Sequence, residues 1–538
     1  MIATAYLDTF ARDRLPPAEL WPDMELGLPF LQYPERINIA HALLQEAVDH
    51  GYGARAAVIA DGVSWSYVEL YRTSRRIARV LRDALGLVPG NRVLLRGANT
   101  PMMAASVLGV WLAGGIVVPT MPMLRAPELA TVLDRAQVGL ALCAANLADE
   151  MKLAEREAAS LRRVVYFDDA ALLGYESVMA QGDAFDAVDT AADDVCLIAF
   201  TSGTTGRPKG TMHFHRDLLA AADCFPRAML QPVASDIFIG TPPLAFTFGL
   251  GAMLLFPLRY GAATVLVARP TPEALLQAIQ TFGATICSTA PTFYRQMTPL
   301  AARYRLGSLR HAVSAGEPLP VATREAWERA TGVRMTDGIG STEMLHIFIS
   351  ASGDDIRPGA TGNPVTGYTA CILDDDGIVQ APNTVGRLAV KGPTGCRYLD
   401  DPRQRDYVQD GWNITGDAYE MDEDGYFWYR ARMDDMIVSS GYNIAGPEVE
   451  AALLQHPAVA ECAVVGWPDD ERGQIVKAFV VPHDTGTPGQ ALARELQDFV
   501  KQSIAPYKYP RAIEFRSALP RTETGKLQRY KLRAGATG

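Results

Sequence analysis

The sequence predicts a large α/β body followed by a small α+β domain. Short runs rich in β-branched residues alternate with longer helical patterns up to about residue 430, an alternation typical of parallel sheets covered by helices. Buried strands are predicted, in order, at Arg92–Leu95, Val164–Phe167, Val195–Phe200, Thr264–Val267, Thr285–Thr289 and His311–Ser314. Helices are predicted between them, for example at Arg75–Leu85, Pro272–Gln280 and Val321–Ala330.

The pattern changes twice towards the C-terminus. From Cys371 onwards short strands and turns predominate, with strands predicted at Cys371–Leu373, Gly386–Lys391 and Gly425–Tyr429. After Ser439 helices and strands alternate again, with helices predicted at Glu448–Leu454 and Leu492–Ser503 and strands at Val459–Gly466 and Ile475–Val481. These changes predict a β-rich sub-domain and then a compact α+β unit.

Two uncharged runs, Pro101 to Met123 and Thr241 to Leu258, are long enough to be considered as membrane spans. Both contain several glycines and prolines, which interrupt a continuous helix. We therefore expect each run to form a buried helix–turn–strand passage, and we expect no membrane partner.

The composition limits the possible functions. The 538 residues are 48% hydrophobic and 21% charged, which excludes a disordered or fibrous chain. The formal charge, 50 − 61 = −11, predicts no general affinity for nucleic acid, so an anionic ligand needs local donors. Seven scattered cysteines without a CxxC pair predict neither a disulfide framework nor a zinc site. Since no secretion signal is recognisable, we expect a cytoplasmic protein, either a monomer or a homodimer.

The clearest local signal follows the predicted strand Val195–Phe200. The segment Thr201–Gly210 (TSGTTGRPKG) combines three glycines with hydroxyls and a lysine that can donate to phosphate oxygens. The candidate binding residues are Thr201, Ser202, Gly203, Thr204, Thr205, Gly206 and Lys209. Pro208 breaks the P-loop pattern of NTPases, and Gly338–Glu343 lacks the third glycine of a dinucleotide fingerprint. A flexible surface loop is the alternative.

Five further motifs follow in order. They are Ser314–Pro318 (SAGEP), Gly340–Glu343 (GSTE), Gly411–Asp417 (GWNITGD), Arg432–Ile437 (RMDDMI) with Gly441, and Pro520–Lys526 (PRTETGK). Together with Thr201–Gly210 they resemble the ordered motifs of the acyl-adenylate-forming superfamily, which contains acyl-CoA synthetases, luciferases and peptide-synthetase adenylation domains. The resemblance implies a body of residues 1–433, built from two α/β sub-domains and a β-rich sub-domain, and a mobile C-terminal α+β domain of residues 434–538.

The resemblance also implies an ATP site. By it, the Thr201–Gly210 loop holds the β- and γ-phosphates, Thr342 contacts the α-phosphate, and Glu343 holds Mg²⁺, for which a carboxylate oxygen is a suitable ligand. Asp417 accepts from both ribose hydroxyls, with Arg432 beside it. The adenine wall is formed by Ala315, Gly316 and Glu317. A surface or capping role for Glu343 and a turn role for Asp417 are the alternatives.

The resemblance also implies two half-reactions, each carried out in a different orientation of the C-terminal domain. Lys526 bridges the carboxylate and the α-phosphate during adenylation, Asp434 lies at the hinge, and Gly441 lines the tunnel of the attacking CoA thiol. The alternative for Lys526 is an exposed, solvated lysine. The implied cofactors and co-substrates are ATP, Mg²⁺ and CoA.

The acyl pocket is expected at Pro243–Gly249 and Asp337–Phe348. Phe246 and Phe248 offer aromatic walls suited to a flat apolar ring. The second segment resembles that of benzoate-type CoA ligases, which implies that His346 lies near the far end of the pocket and excludes long fatty chains. The remaining pocket residues are Gly338, Ile339 and Gly340. Plain core packing of the aromatic residues is the alternative.

Two residues depart from the superfamily pattern. Ile339 stands where many relatives have a tyrosine near the adenine, and Val438 stands where many have a lysine. The segments Leu15–Pro22 and Gly441–Glu448 resemble those of 2-aminobenzoate–CoA ligases.

From these motifs we expect an AMP-forming aryl-CoA ligase for a small aromatic carboxylic acid of the benzoate or 2-aminobenzoate type. Three alternatives stay open. They are a free-standing adenylation enzyme that loads an aryl acid onto a carrier protein, a luciferase-like oxidase, and a non-catalytic nucleotide-binding homologue.

Overall fold

The computed structural model describes residues 2–167, 184–201, 208–439, 442–469, 472–483, 489–521 and 527–533. Within these ranges the strands are, in chain order, β1 (Ala56–Ala60), β2 (Val63–Ser66), β3 (Arg92–Arg96), β4 (Ile116–Thr120), β5 (Leu140–Ala144), β6 (Arg163–Phe167), β7 (Val195–Thr201), β8 (Lys209–Phe214), β9 (Ile237–Gly240), β10 (Ala263–Val265), β11 (Ile286–Thr289), β12 (His311–Ala315), β13 (Met335–Gly340), β14 (Ile347–Ser350), β15 (Asn363–Pro364), β16 (Thr369–Leu373), β17 (Val385–Lys391), β18 (Val408–Gln409), β19 (Trp412–Met421), β20 (Phe427–Arg432), β21 (Ile437–Ser439), β22 (Tyr442–Ile444), β23 (Val459–Asp469), β24 (Gly473–Pro482) and β25 (Ala512–Phe515).

The α-helices in the same ranges are Phe10–Asp13, Ile39–Asp49, Tyr67–Arg79, Pro101–Leu112, Ala126–Arg135, Ala148–Glu157, His215–Phe225, Thr247–Leu250, Phe256–Arg259, Pro272–Phe282, Pro291–Met297, Val321–Thr331, Gln404–Tyr407, Gly446–Leu453, Gln490–Ser503 and Arg529–Arg533. Short π-helical segments at Val80–Ala84, Pro226–Leu230 and Gly251–Leu255 continue three of them.

Two large sheets form the body. One has the order β6-β5-β3-β4-β7-β8 and is parallel except for the pair β7–β8. The other has the order β15-β14-β13-β12-β11-β9-β10-β1-β2, with parallel strands from β13 to β1 and antiparallel strands at its ends. Because β1 and β2 precede β3 in the chain, the chain starts one sheet, builds the other and then returns to complete the first.

The interior of the body is apolar on both sides of the strands. Every residue of β3 and β4 is buried, as expected of parallel strands covered on both faces. The helix Pro101–Leu112 is buried at all twelve residues. It begins at Thr100, whose hydroxyl accepts a hydrogen bond from the Met103 amide (3.2 Å), followed by a proline at the first helical position.

Smaller sheets follow the two large ones in the chain. Strands β16–β20 form an antiparallel sheet with the order β16-β17-β19-β18, and β20 pairs with β19. Strands β23, β24 and β25 form a three-stranded sheet, next to which the helices Gly446–Leu453 and Gln490–Ser503 bury Val449 and Val500. The predicted α/β fold with a β-rich part and a small α+β unit is therefore confirmed, whereas the hinge at Asp434 stays a prediction.

Most predicted elements match within one or two residues at each end, but three differ by more. The strand predicted at Gly425–Tyr429 is β20 and ends three residues later, and the strand predicted at Val459–Gly466 is β23 and also extends three residues further. The helix predicted at Arg75–Leu85 begins earlier, at Tyr67, because Ser66 and Glu69 form a capping box in which each side chain bonds the other residue's amide.

The two apolar runs have different outcomes. The first forms a helix, a turn and β4, as predicted. For the second run the predicted order of helix, turn and strand is wrong. Residues 241–246 form a loop, and one helical segment then runs from Thr247 to Arg259. Its middle turn is π-helical, and Pro257 is the second residue of the α-helical turn Phe256–Arg259 that follows. Among the described residues, no helix is both long and apolar enough to cross a membrane.

The buried His215 makes the stability of the fold depend on pH. Its Nδ1 accepts a hydrogen bond from the Ile39 amide (3.2 Å), and burial lowers its pKa to about 3. Since the folded pKa is below the unfolded value of about 6.5, this stabilisation is complete above that pH and is lost as the pH falls towards 3.

We predict that His215→Gln, which does not titrate, flattens the pH dependence of the free energy of unfolding. Between pH 6.5 and 5 the slope should fall by up to one proton, or about 1.4 kcal/mol per pH unit. Urea unfolding at several pH values measures this slope, and the exposed His50→Gln is the matched control. An unchanged slope in His215→Gln would contradict the assignment.

Candidate active site

The candidate phosphate loop connects two adjacent strands of the six-stranded sheet. Thr201 ends β7, Lys209 begins β8, and the two residues are paired across the antiparallel ladder. Five of the predicted loop residues, Ser202, Gly203, Thr204, Thr205 and Gly206, lie outside the described residues. The loop leaves the sheet at the carboxyl end of β7, the edge at which open α/β sheets bind ligands.

The predicted metal ligand Glu343 lies next to this loop. Its side chain is buried, and its Oε1 accepts a hydrogen bond from the Tyr398 hydroxyl (2.5 Å). The Lys209 ammonium lies 3.4 Å from the same hydroxyl and 5.1 Å from the centre of the Tyr398 ring. Lys209 and Glu343 are therefore brought together through a residue that the sequence analysis did not select.

The main chain of Thr342 is held from the other side. His213 Nε2 donates to the Thr342 carbonyl oxygen (2.8 Å), which assigns the proton to Nε2. Burial lowers the pKa of His213 to about 4, so the ring is neutral at pH 7. His213 lies in β8, so the strand that leaves the phosphate loop also supports the Thr342–Glu343 pair.

The candidate ribose site is a cross-strand pair. Asp417 in β19 is the register partner of Arg432 in β20, and Arg432 Nη1 donates to Asp417 Oδ1 (3.1 Å). Gly416 has φ +76°, and a Cβ there would lie 3.0 Å from Arg432 Nη2. The positive φ favours a glycine at this irregular position of β19, directly before the nearly buried carboxylate of Asp417.

The candidate adenine wall follows β12. Ala315 ends that strand opposite Gly338, Gly316 has φ +89°, and Glu317 Oε2 accepts from the Thr292 hydroxyl (2.6 Å). The neighbouring Asp337, which the sequence analysis did not select, is buried and its pKa is raised to about 6 by that burial. A lone carboxylate within the strand pattern of β13 is the sequence signal that could have identified it.

His346 is enclosed by aromatic rings. Its ring centroid lies 4.5 Å from that of Phe256, 5.3 Å from that of Phe225 and 5.5 Å from that of Phe248. Burial lowers its pKa to about 3, and neither ring nitrogen has a hydrogen-bond partner among the residues that the structure describes. The structure thus joins Phe248 and His346 of the predicted pocket and adds the rings of Phe225 and Phe256.

The remaining pocket predictions lie close by in the chain. Gly338 and Gly340 sit in β13 against β14, where a Cβ would come within 2.5 Å of Ile347 Cγ2 and 2.6 Å of the His346 carbonyl oxygen, respectively. Ile339 lies between them and is half-buried against the main core. Phe246 precedes the helix at Thr247 and is also half-buried, but its ring makes no ring contact with His346 within the described part of the chain.

The C-terminal predictions are less completely described. Gly441 and Lys526 lie outside the described residues, and so does the side chain of Asp434, whose main chain forms a helical turn directly after β20. Arg521 and Leu527, which flank the Lys526 segment, form an antiparallel bridge. Arg521 Nη1 lies 3.6 Å from Glu317 Oε1, which brings this bridge to the candidate adenine wall.

Comparison with known proteins gives the same family for both parts of the chain. AMP-binding enzymes match residues 44–397, and the C-terminal domain of AMP-binding enzymes matches residues 448–526. The chain belongs to the AMP-binding enzyme family. Its predicted membership of the acyl-adenylate-forming superfamily is thereby confirmed.

Individual relatives cover nearly the whole chain. A benzoate–CoA ligase of Thauera aromatica is 36% identical over 513 residues, which is 94% of this chain and 97% of the relative. The crystal structure of an anthranilate CoA ligase in complex with anthranoyl-AMP has a TM-score of 0.89 at 33% identity, covering 95% of this chain and 99% of that one. A benzoate CoA ligase from Burkholderia xenovorans LB400 has a TM-score of 0.84 at 34% identity, covering 92% and 100%.

We predict that Asp417→Asn raises the KM for ATP about 10- to 100-fold, because one charged acceptor is lost and Arg432 loses its ion partner. Steady-state kinetics with varied ATP measures the change. The matched control is Glu420→Gln, which breaks the ion pair with Arg430 (2.7 Å) on the same two strands. A wild-type KM in Asp417→Asn would contradict the ribose assignment.

Proposed function

We propose that the protein is an AMP-forming aryl acid:CoA ligase. A carboxylate oxygen of the acid attacks the α-phosphorus of ATP, pyrophosphate leaves, and an aryl-adenylate forms. The CoA thiol then attacks the acyl carbonyl carbon, and AMP leaves with the carboxylate oxygen that it gained. The observation that carries the proposal is the contact of both Lys209 and Glu343 with the Tyr398 hydroxyl, in a chain whose relatives, over nearly its full length, include aryl-CoA ligases.

The residues present fit a Mg²⁺ ion that arrives with ATP. Glu343 offers one buried carboxylate, and Mg²⁺ in nucleotide sites takes one or two carboxylates together with phosphate oxygens and water. The described residues contain no cluster of three or more His, Cys, Asp or Glu side chains that would hold a metal without the nucleotide. When bound, the ion neutralises charge on the phosphates. The protein's part is to hold Glu343 in place through Tyr398.

The adenylation step needs donors where phosphate charge develops. Lys209 lies at the end of the phosphate loop, and the neutral His213 fixes the main chain at Thr342. We assign Thr342 to the α-phosphate and Lys526 to the bridge between carboxylate and α-phosphate. The contact between Arg521 and Glu317 supports the Lys526 role, because it brings the flanks of the Lys526 segment to the nucleotide side of the body.

We assign the acyl pocket to a small aromatic acid. The flat rings of Phe248 and His346 support this assignment, and the buried, neutral His346 ring is in contact with the rings of Phe225 and Phe256. The relatives named for benzoate and anthranilate support a benzoate or 2-aminobenzoate type of acid, of which we propose 2-aminobenzoate first. The thioester step is assigned to a second domain orientation, with the hinge at Asp434 and the thiol tunnel at Gly441.

We propose that the protein acts in a reducing compartment, the cytoplasm. All seven cysteines are free thiols, and five of them are buried. Scattered free cysteines fit a reducing environment better than an oxidising one.

The experiment that tests the function supplies ATP, Mg²⁺ and a panel of aryl and alkyl acids, with and without CoA. We expect pyrophosphate release with benzoate and 2-aminobenzoate and the corresponding aryl-CoA when CoA is present. Acid-dependent pyrophosphate exchange without any CoA product would favour carrier loading. Absence of exchange with every acid would contradict the proposal and favour a nucleotide-binding homologue.

Lys526→Ala is the control within this experiment. It should abolish pyrophosphate release from ATP and acid, yet form aryl-CoA from a supplied aryl-adenylate. Equal loss of both half-reactions would refute the assignment of separate residues to the two steps.

We further predict that Gly251→Ala impairs use of the acid and not of ATP. A Cβ at this residue would lie 2.4 Å from His346 Cδ2 and 3.1 Å from Phe256 Cζ. The ring must then shift, and kcat/KM for the aryl acid should fall about tenfold or more, since overpacking costs about 1–3 kcal/mol. Gly139→Ala, where a Cβ meets nothing within 4 Å, is the matched control. Unchanged kinetics for the acid in Gly251→Ala would argue against the pocket.

A further inference from the structure

The Tyr398 hydroxyl lies between two charged groups of the candidate active site. It donates to Glu343 Oε1 (2.5 Å), and the Lys209 Nζ lies 3.4 Å from it. Tyr398 is almost completely buried, as is Glu343. In the described part of the chain, Glu343 Oε2 accepts no hydrogen bond, so Tyr398 engages one carboxylate oxygen and leaves the other for a ligand.

Tyr398 is itself held in place on several sides. Residues 397–399 run beside β8: the Met212 amide donates to the Arg397 carbonyl oxygen (2.8 Å), and the Leu399 amide donates to the Gly210 carbonyl oxygen (2.8 Å). The Tyr398 amide donates to Gln404 Oε1 (2.8 Å).

The side chains around this segment add two further restraints. The Tyr398 ring packs edge-on against Tyr407, with 5.8 Å between ring centroids. Arg397 forms an ion pair with Asp217 (2.8 Å) in which both side chains are fully buried. The hydroxyl position is therefore determined by the fold and not by Glu343 alone.

If the Tyr398 hydroxyl had only a structural role, it would donate a hydrogen bond to the buried Glu343 carboxylate and make no other contact in the site. Two observations indicate a further role. The hydroxyl meets the loop lysine as well as the carboxylate, and residues 397–399 pair with the same strand that leaves the phosphate loop. Tyr398 is thus in contact with the end of the loop and with the carboxylate at the same time.

We propose that Tyr398 is the positioning residue that orients Glu343 towards Mg²⁺ and links it to Lys209 of the phosphate loop. The inference rests on the proposed function, in which Glu343 holds the ion. By fixing Oε1, the hydroxyl presents Oε2 to the nucleotide-borne cation. Hydrogen-bond partners that orient a metal ligand commonly change metal affinity about 10- to 100-fold when they are removed.

The test compares Tyr398→Phe with the wild type by calorimetric titration of ATP, with Mg²⁺ and with EDTA, in the absence of any acid. We expect the factor by which Mg²⁺ tightens ATP binding to fall about tenfold, while ATP affinity in EDTA stays unchanged. In acid-dependent pyrophosphate exchange, the Mg²⁺ concentration for half-maximal rate should rise by a similar factor, and saturating Mg²⁺ should restore most of kcat.

The matched control is Tyr294→Phe. It removes another buried hydroxyl, which donates to the carbonyl oxygens of Cys287 and Val313, without touching this site. Its Mg²⁺ dependence should equal that of the wild type. A second variant, Tyr398→Phe in a Glu343→Gln background, should add little further loss, because the hydroxyl acts through that carboxylate.

Two results would overturn the inference. One is a wild-type Mg²⁺ effect on ATP affinity in Tyr398→Phe. The other is an equal loss of affinity in EDTA, which would assign the hydroxyl to the phosphates or to folding. A wild type that binds Mg²⁺ and ATP but activates no acid would instead count against the proposed function alone.

Discussion

The pairing of residues 397–399 with β8 is the contact on which the active site depends. It joins the strand that leaves the phosphate loop to a segment that lies far along the chain, and it is anchored by the Arg397–Asp217 ion pair, which has no exposed side-chain surface. Removing one partner of such a buried pair costs about 3–5 kcal/mol, because the other charge is left unpaired. Loss of this contact would therefore remove the support of Tyr398, and with it the contacts of Tyr398 with Glu343 and Lys209.

The candidate site has to bind anionic ligands although the net charge of the chain is negative. A chain with a formal charge of −11 has no general field that attracts ATP or CoA. In the proposed function the attraction comes from a few donors placed by the fold, and we assign this role to Lys209 at the end of the loop and to Arg432 beside Asp417. Neutral groups complete the arrangement: His213 is kept uncharged by burial and donates to the Thr342 main chain.

Much of the fold and the candidate residues could be predicted because both depend on local sequence. Apolar strands and glycine-rich loops are local patterns, and the ordered motifs selected Lys209 and Glu343, which the structure brings to the same Tyr398 hydroxyl, and Asp417 and Arg432, which it pairs across two strands. Contacts between distant segments could not be predicted in this way. His213 and Thr342 are 129 residues apart, and no local sequence pattern predicts the hydrogen bond between them. The same holds for the pairing of β1 with β10, because the chain forms the whole six-stranded sheet between these two strands. The wrong prediction for the Thr241 to Leu258 run came from treating its glycines and prolines as helix breakers, although Gly249, Gly251 and Pro257 all lie inside one helical segment.

The central claim is that one site adenylates an aryl acid and then transfers the acyl group to CoA. The most direct measurement supplies the acid with both carboxylate oxygens labelled with ¹⁸O, together with ATP, Mg²⁺ and CoA, and analyses the nucleotide product by mass spectrometry. If an aryl-adenylate is the intermediate, AMP carries one ¹⁸O and the aryl-CoA retains the other. Unlabelled AMP, or label in orthophosphate with ADP as the nucleotide product, would contradict the account.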